Sequence, residues 1–351
     1  MKEVRAGAAA LTPGVWRLHI PIPGNPLPYV AVHLLETPEG PVLVDAGWNA
    51  PESFAALEAG LAELGATLGD VRGLLVTHIH PDHYGLAGRI REESGAWVAM
   101  HADEAVLIRT RYVEVDHILG EVEEWLRQAG AAPDAVEELR DAVLDFRRYV
   151  LVTPPTILLE DGERAPLKGH DLVALHTPGH SPGHLCFLHQ ESELLLSGDH
   201  VLPRITPNVG LHPQSGPDPL GDFLTALARL RPFAHMRVSP SHGDPFTPLG
   251  ERLEALTSHH AERLNETATV VARGAETVWE VASHLTWSVP WDDLRRFARR
   301  AALGEAHAHL AYLERRGELE RLPGSPLRWR IAASASDGAH PGRAQAFGRR
   351  E

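Results

Sequence analysis

Thr77-His78-Ile79-His80-Pro81-Asp82-His83 gathers three imidazoles and a carboxylate directly behind the apolar run Gly73-Leu74-Leu75-Val76. A short buried strand that closes on so many ligand-type side chains reads as a metal site at the carboxyl end of a sheet. His78 and His80 alternate about Ile79, so if strand geometry persists through Thr77 both rings project to one side of the backbone. Pro81 ends the ladder and turns the chain, which brings Asp82 and His83 back toward the same point from the start of a helix. One such histidine alone reads as a hydrogen-bonded surface residue; the cluster reads as a metal centre.

Six consecutive residues cannot enclose a metal, so further donors are expected at other strand ends. Leu172-Val173-Ala174-Leu175 runs into His176-Thr177-Pro178-Gly179-His180, and Leu194-Leu195-Leu196 into Ser197-Gly198-Asp199. Arg237-Val238-Ser239 runs into Pro240-Ser241-His242-Gly243-Asp244. Each is an apolar or β-branched run closed by Gly or Pro beside a donor.

The H-x-H-x-D-H stretch, Thr177-Pro178-Gly179-His180, Ser197-Gly198-Asp199 and the Ser241-His242-Gly243 turn together resemble the metallo-β-lactamase superfamily over about the first 260 residues. The resemblance implies an α/β fold, a four-layer αββα sandwich. It also implies that His78, His80 and His180 hold one metal, that Asp82, His83 and His242 hold a second, and that Asp199 bridges them. Asp45, which closes the strand Pro41-Val42-Leu43-Val44, stands where that superfamily supports its ligands from behind. A turn aspartate bonded to its own backbone is the alternative. Ser241 replaces a usual glycine, and His200, following the bridging Asp199, is placed to intrude on the ligands' surroundings or the substrate mouth. His184, four residues after His180, is expected to support or pack rather than ligate.

An all-His/Asp donor set suits two divalent ions, zinc first, with Mn or Fe also compatible. Two ions roughly 3.5 to 4 Å apart share a hydroxide and clamp the attacked oxygen, which implies hydrolysis. Asp82 is a ligand in a dinuclear site; with one metal it is free to orient the attacking water or take its proton. A mononuclear iron oxygenase version of the fold keeps a non-hydrolytic reading open.

Length and composition suit one large domain and a small one. The lone Cys186 lies in the strand Leu185-Cys186-Phe187-Leu188, so a buried, inert thiol is expected. Ala8-Ala9-Ala10-Leu11 is too short for a signal peptide and no apolar run reaches membrane-spanning length, so a cytoplasmic location without a membrane partner is the default. Opening strands are expected at Gly14 to Leu18 and Tyr29 to Leu35, and helices at Ser53 to Leu64 and Gly85 to Glu93. Helical spacing of Val122, Trp125, Leu126 and Ala129, then of Val136, Leu139, Val143 and Phe146, marks a helical insertion at about 103–150, with Asp134 and Glu137 resembling a cap. The insertion either roofs the site or decorates an edge. Tyr84, Asn208 and His212 are further mouth candidates.

The αββα domain is expected to span 1–260, with its last helix running from Pro248 toward Leu264. In 261–331, helices at Val278 to Leu285, Arg295 to Ala302 and Glu305 to Arg316 precede strands at Leu319 to Leu322 and Leu327 to Ile331. This resembles the winged-helix appendage of the lactamase-like protein 2 group. Residues 332–351 have a low-complexity composition and read as a disordered tail.

Residues 261–351 carry 14 Arg against 12 acidic residues, and the remainder 19 basic against 35 acidic. Arg295, Arg296, Arg299 and Arg300 form a local basic cluster, but an acidic body repels phosphates. A winged helix used for dimerisation, as in a homodimer, or for framing the site is the alternative. Three functions follow: hydrolysis of a small acyl substrate, a glyoxalase II-like thioester or a lactone, which is favoured; cleavage of single-stranded RNA; or a binding module with a vestigial core.

Overall fold

The computed structural model describes residues 7–333; nearly all of the expected tail, 334–351, lies outside the described residues. The chain opens with β1 (Ala8–Thr12), β2 (Val15–Pro21), β3 (Tyr29–Leu35) and β4 (Val42–Val44), followed by helix α1 (Pro51–Glu63) and β5 (Gly73–Leu75). Helices α2 (Pro81–Tyr84) and α3 (Ala87–Ser94) lead to β6 (Trp97–Met100). The insertion comprises α4 (Ala102–Ile108), a π-helical turn (Arg109–Val113), α5 (Val115–Gln128) and α6 (Pro133–Asp141), before β7 (Ile157–Leu158). Next come β8 (Leu172–His176), β9 (Leu185–His189), β10 (Leu194–Leu196), α7 (Pro219–Arg229) and β11 (Arg237–Ser239). The remainder is α8 (Leu249–Ala272), α9 (Val278–His284), α10 (Arg296–Arg315), β12 (Leu319–Leu322) and β13 (Arg328–Ile331).

Strands β1 to β7 form one sheet in sequence order, and β11-β10-β9-β8 form a second. Alternation along the strands divides the apolar side chains among three layers of core. Val30, Val32, Leu34, Leu43 and Leu74 point outward onto Leu57, Leu61 and Ile90 of α1 and α3. Val42, Val44 and Leu75 point the other way, against Leu185, Phe187, Leu194 and Leu196 of the second sheet. Cys186, Leu188, Leu195 and Val238 then face helices α5 to α10. The order is therefore helix, sheet, sheet, helix. Each fully buried leucine in these layers is worth roughly 1.5–3 kcal/mol.

Several boundaries differ from the sequence reading. Ala8 to Leu11 is an edge strand, pairing β2 with Ala10 opposite Trp16. The first-motif strand stops at Leu75, so His78 and His80 stand in a loop rather than on a continued strand. Helix α6 is capped by Ala132 with Pro133 at its first position, and no Asp134 side-chain cap forms; the proline presets the helical φ and makes a side-chain cap unnecessary. Helix α8 passes unbroken through residues 260 and 261. The segments read as separate helices at Arg295 to Ala302 and Glu305 to Arg316 form one helix, α10. The C-terminal helices and Trp329 share one core with the second sheet and the insertion.

Candidate metal centre

The donors converge because β5, β8, β10 and β11 all deliver their following loops to the same end of the stacked sheets. Pro81 opens α2, so Asp82 and His83 fall in its single turn while His80 caps it. His78 Nε2 and His180 Nε2 lie 2.9 and 3.0 Å from His80 Nδ1. Beside them His242 Nε2 is 3.2 Å from Asp82 Oδ2, and His83 Nε2 is 3.6 Å from the same oxygen. Asp199 lies between the groups: Oδ1 is 3.5 Å from His83 Nε2 and 3.4 Å from His242 Nε2, and Oδ2 is 3.7 Å from His180 Nε2. Thus all seven candidate ligands meet at one point, as two three-residue donor groups with Asp199 spanning them.

The outward nitrogens fix which ring atoms face inward. His83 Nδ1 donates to Asp45 Oδ2 at 2.8 Å, His180 Nδ1 to the Asn208 carbonyl at 2.8 Å, and His242 Nδ1 to the Tyr29 carbonyl at 3.0 Å. Carboxylate and carbonyl oxygens only accept, so each Nδ1 bears a proton and each Nε2 is the atom turned to the centre, able to offer a lone pair whenever the ring is neutral. The Thr77 hydroxyl donates to Asp45, at 3.0 Å, and therefore accepts from His78 Nδ1 at 3.0 Å, with the same result. Asp45 also accepts from the Thr77 amide at 2.8 Å. It is fully enclosed and tied to the ligand loop, not to its own turn.

These residues fit a metal ion. Buried atoms His83 Nε2, His242 Nε2 and Asp199 Oδ1 have no hydrogen-bond partner among the described residues, a costly arrangement unless a cation satisfies them. Charge argues likewise. Burial opposes protonation of His83 and His242, yet Asp82, Asp199 and Asp45 hold His83 well above its ordinary range, and Asp199 with Asp82 raises His242 to about 10. The centre therefore favours positive charge. Burial, reinforced by neighbouring imidazoles, instead holds His78 well below its usual range, neutral and ready to donate a lone pair.

The supporting candidates separate clearly. His184 Nε2 accepts the Asp199 amide at 3.1 Å and its Nδ1 meets the Thr177 hydroxyl at 2.9 Å, so the ring positions Asp199 and has no lone pair left to ligate. His200 is completely buried against Phe223, with ring centroids 4.8 Å apart, and does not reach the mouth. Tyr84 is likewise enclosed, donating to the Thr153 carbonyl and accepting its amide at 2.8 Å. Asn208 contributes its backbone carbonyl. Cys186 is buried and its thiol is pushed up to about 12 by burial.

Sequence reasoning missed Glu104. This buried carboxylate accepts from the Ile79 amide at 2.8 Å and the Gly183 amide at 2.9 Å, clamping the two ligand loops together. Nothing in its spacing marks it. The π-helical turn closes over the same loop, where Tyr112 donates to the Ile79 carbonyl. The part of the insertion beside the site is therefore α4 and that turn, while α5 and α6 pack into the helical layer.

The sequence profile described as the metallo-beta-lactamase superfamily matches residues 26–242. A solved metallo-beta-lactamase family protein from Thermus thermophilus is 34% identical, with 92% of this chain and 100% of that one covered and a TM-score of 0.76. "Probable metallo-hydrolase YqjP" of Bacillus subtilis is 25% identical over 280 residues, 78% of this chain and 84% of its own. A Cryptosporiopsis protein named as an atrochrysone carboxyl ACP thioesterase is 28% identical over 126 residues, 35% of this chain and 36% of its own.

Proposed function

The chain belongs to the metallo-β-lactamase superfamily and is a metal-dependent hydrolase, and on that premise we propose that it hydrolyses a small acyl substrate, a thioester or a lactone, at a centre of two divalent ions. His78, His80 and His180 would hold one ion, Asp82, His83 and His242 the other, and Asp199 would span both; zinc is favoured, and Mn or Fe suit the same donors. Bound ions supply Lewis acidity that activates water and polarises the acyl carbonyl. The chain orients the donors through Asp45, Thr77 and Tyr29, and Glu104 and His184 fix the loops that carry His80, His180 and Asp199. With both ions bound Asp82 would be a ligand; with one, its Oδ2, 3.2 Å from His242 Nε2, would be free to orient the attacking water or take its proton.

The fate of the basic cluster carries the choice of an acyl over a phosphodiester substrate. Arg295 donates to the Leu294 carbonyl at 2.9 Å, Arg296 pairs with Asp145, and Arg299 donates to the Trp291 carbonyl at 3.2 Å. Three of the four guanidiniums are thus engaged, Arg295 and Arg299 within the C-terminal segment and Arg296 on the insertion, rather than spread over a phosphate-binding face. The thioesterase name of the Cryptosporiopsis relative agrees. We read the second half of α8 with α9, α10 and the β12–β13 ribbon as a winged-helix arrangement whose task is to frame the mouth.

The test is to assay zinc-loaded protein on a panel of acyl thioesters, lactones and labelled single-stranded RNA, with Asp199→Ala prepared identically. Thioester or lactone hydrolysis that disappears in the variant supports the reading. RNA cleavage that disappears in the variant, without acyl turnover, overturns it.

A further inference from the structure

Helix α10 reaches the metal centre through the loop before α7. His180 Nδ1 donates to the Asn208 carbonyl at 2.8 Å, Asn208 Nδ2 donates to the Ala301 carbonyl at 3.3 Å, and the Leu211 amide donates to the Gly304 carbonyl at 2.9 Å. Arg300 therefore sits one residue from a helix position only two hydrogen bonds away from a proposed ligand. From the other side, the π-helical turn is held on Ile79 by Tyr112, and Thr110 accepts from Gln214 Nε2 at 3.4 Å. Arg111 lies between those two anchors. His212, in the same loop as Asn208, accepts the Gln214 amide at Nδ1, 3.2 Å away.

Neither Arg111 nor Arg300 has an ion-pair partner among the described residues, and the buried Arg300 Nε has no hydrogen bond. Asp145, the acid that faces Arg300, is already engaged by Arg296, whose Nε lies 2.9 Å from Asp145 Oδ2. Arg111 and Arg300 thus approach the metal centre from the insertion and from α10, near enough for Arg111 to oppose the charge of Arg300 and for both to act on His212, and no ion pair among the described residues neutralises either.

We propose that Arg111, Arg300 and His212 form an oxyanion-binding subsite beside the metal centre that receives a carboxylate or phosphate group carried by the acyl substrate. This rests on the acyl-hydrolase reading for the identity of the substrate, not for the binding itself. Burial, with Arg111 second, lowers Arg300 to about 10, and burial with Arg300 and Arg111 holds His212 at about 3. His212 is consequently neutral; because its Nδ1 accepts, its proton is on Nε2, a donor to an anion. Guanidinium forks suit planar or tetrahedral oxyanions, which relieve the like-charge contact. Since Arg111 comes from the insertion and Arg300 from α10, the subsite needs both appendages of the fold.

Two measurements test this on metal-loaded protein. The first is the rise in Tm on adding inorganic phosphate, compared among wild type, Arg111→Gln and Arg300→Gln. The metal ions bind phosphate equally in all three, so at least half of the wild-type shift should vanish in each variant; equal shifts overturn the proposal. Arg300→Lys, which keeps charge but not the fork, should retain an intermediate shift. The second is the ratio of kcat/KM for thioesters of a carboxylate-bearing and a phosphate-bearing thiol to that for a neutral thiol. Either Gln variant should lower the ratio at least about tenfold for the preferred anion, and which anion responds identifies the source; an unchanged ratio for both overturns the proposal. If wild type hydrolyses neither thioesters nor lactones, the acyl-hydrolase reading fails, and the phosphate shifts alone still decide the subsite.

Discussion

Asp45 Oδ2 lies 2.8 Å from His83 Nδ1, and Asp45 holds this contact from a left-handed backbone, φ 65°. A non-glycine residue in that region carries strain that persists only where the surroundings hold it in place. Here Thr77 and His83 do so. Asp45→Asn removes the charge that fixes the His83 tautomer, and metal affinity should fall roughly 10- to 100-fold. Competition against a calibrated chelator measures it; affinity equal to wild type would refute the supporting role.

Glu104 joins the loops of His80 and His180. Glu104→Gln turns an amide N–H₂ toward one of the two backbone amides it now satisfies, leaving a buried donor unpaired at a cost of about 1–3 kcal/mol. Denaturant unfolding of the metal-loaded protein should show that loss together with reduced metal stoichiometry. A variant as stable as wild type would mean the clamp is replaceable by water.

Gly198 in Ser197-Gly198-Asp199 has φ 52°, and an added Cβ would lie 2.6 Å from His184 Nε2 and 3.1 Å from Thr77 Cβ. Gly198→Ala should displace either His184 or the Asp199 amide it accepts, and metal content after purification should drop sharply. Full occupancy would show that the loop yields without moving its carboxylate.

The contrast between Glu104 and the histidines shows what the sequence made legible. His78, His80, His83, His180 and His242 announce themselves because donor residues follow short apolar runs, and the strand ends then coincide by topology. Glu104 is a lone acid on a helix, and only the folded chain reveals that two backbone amides point at it. The gap read between Ala302 and Glu305 closes for a related reason: Gly304 lies within α10, where its carbonyl accepts the Leu211 amide at 2.9 Å, a tertiary contact that sequence spacing does not show. Ala8 to Leu11 lacks β-branched residues, and pairing with β2 alone makes it a strand.

Metal uptake should release protons. His83 is held well above its ordinary range and His242 at about 10, so both carry protons at neutral pH that a metal must displace. Affinity should therefore weaken as pH falls, and titration calorimetry in buffers of different ionisation enthalpy should show a net proton release. The same observed enthalpy in every buffer would exclude these two histidines as ligands.

Buried histidines away from the centre add to the acid sensitivity of the fold. Burial lowers His33 and His260 to about 3, with Arg17 and His309 respectively as the next cause, and lowers His307 and His309 to about 4. Their folded values lie below the unfolded value near 6.5, so the unfolded chain binds more protons as pH falls. Their contribution is complete above about pH 6.5 and is lost progressively between that value and the folded values, each group costing at most about 1.4 kcal/mol per pH unit. Urea melts of chelated protein should show a steep fall in midpoint from pH 7 to 5. His33→Gln, which retains a partner for Ser239 Oγ, now 2.8 Å from the ring, should flatten that slope; an unchanged slope would place the acid sensitivity elsewhere.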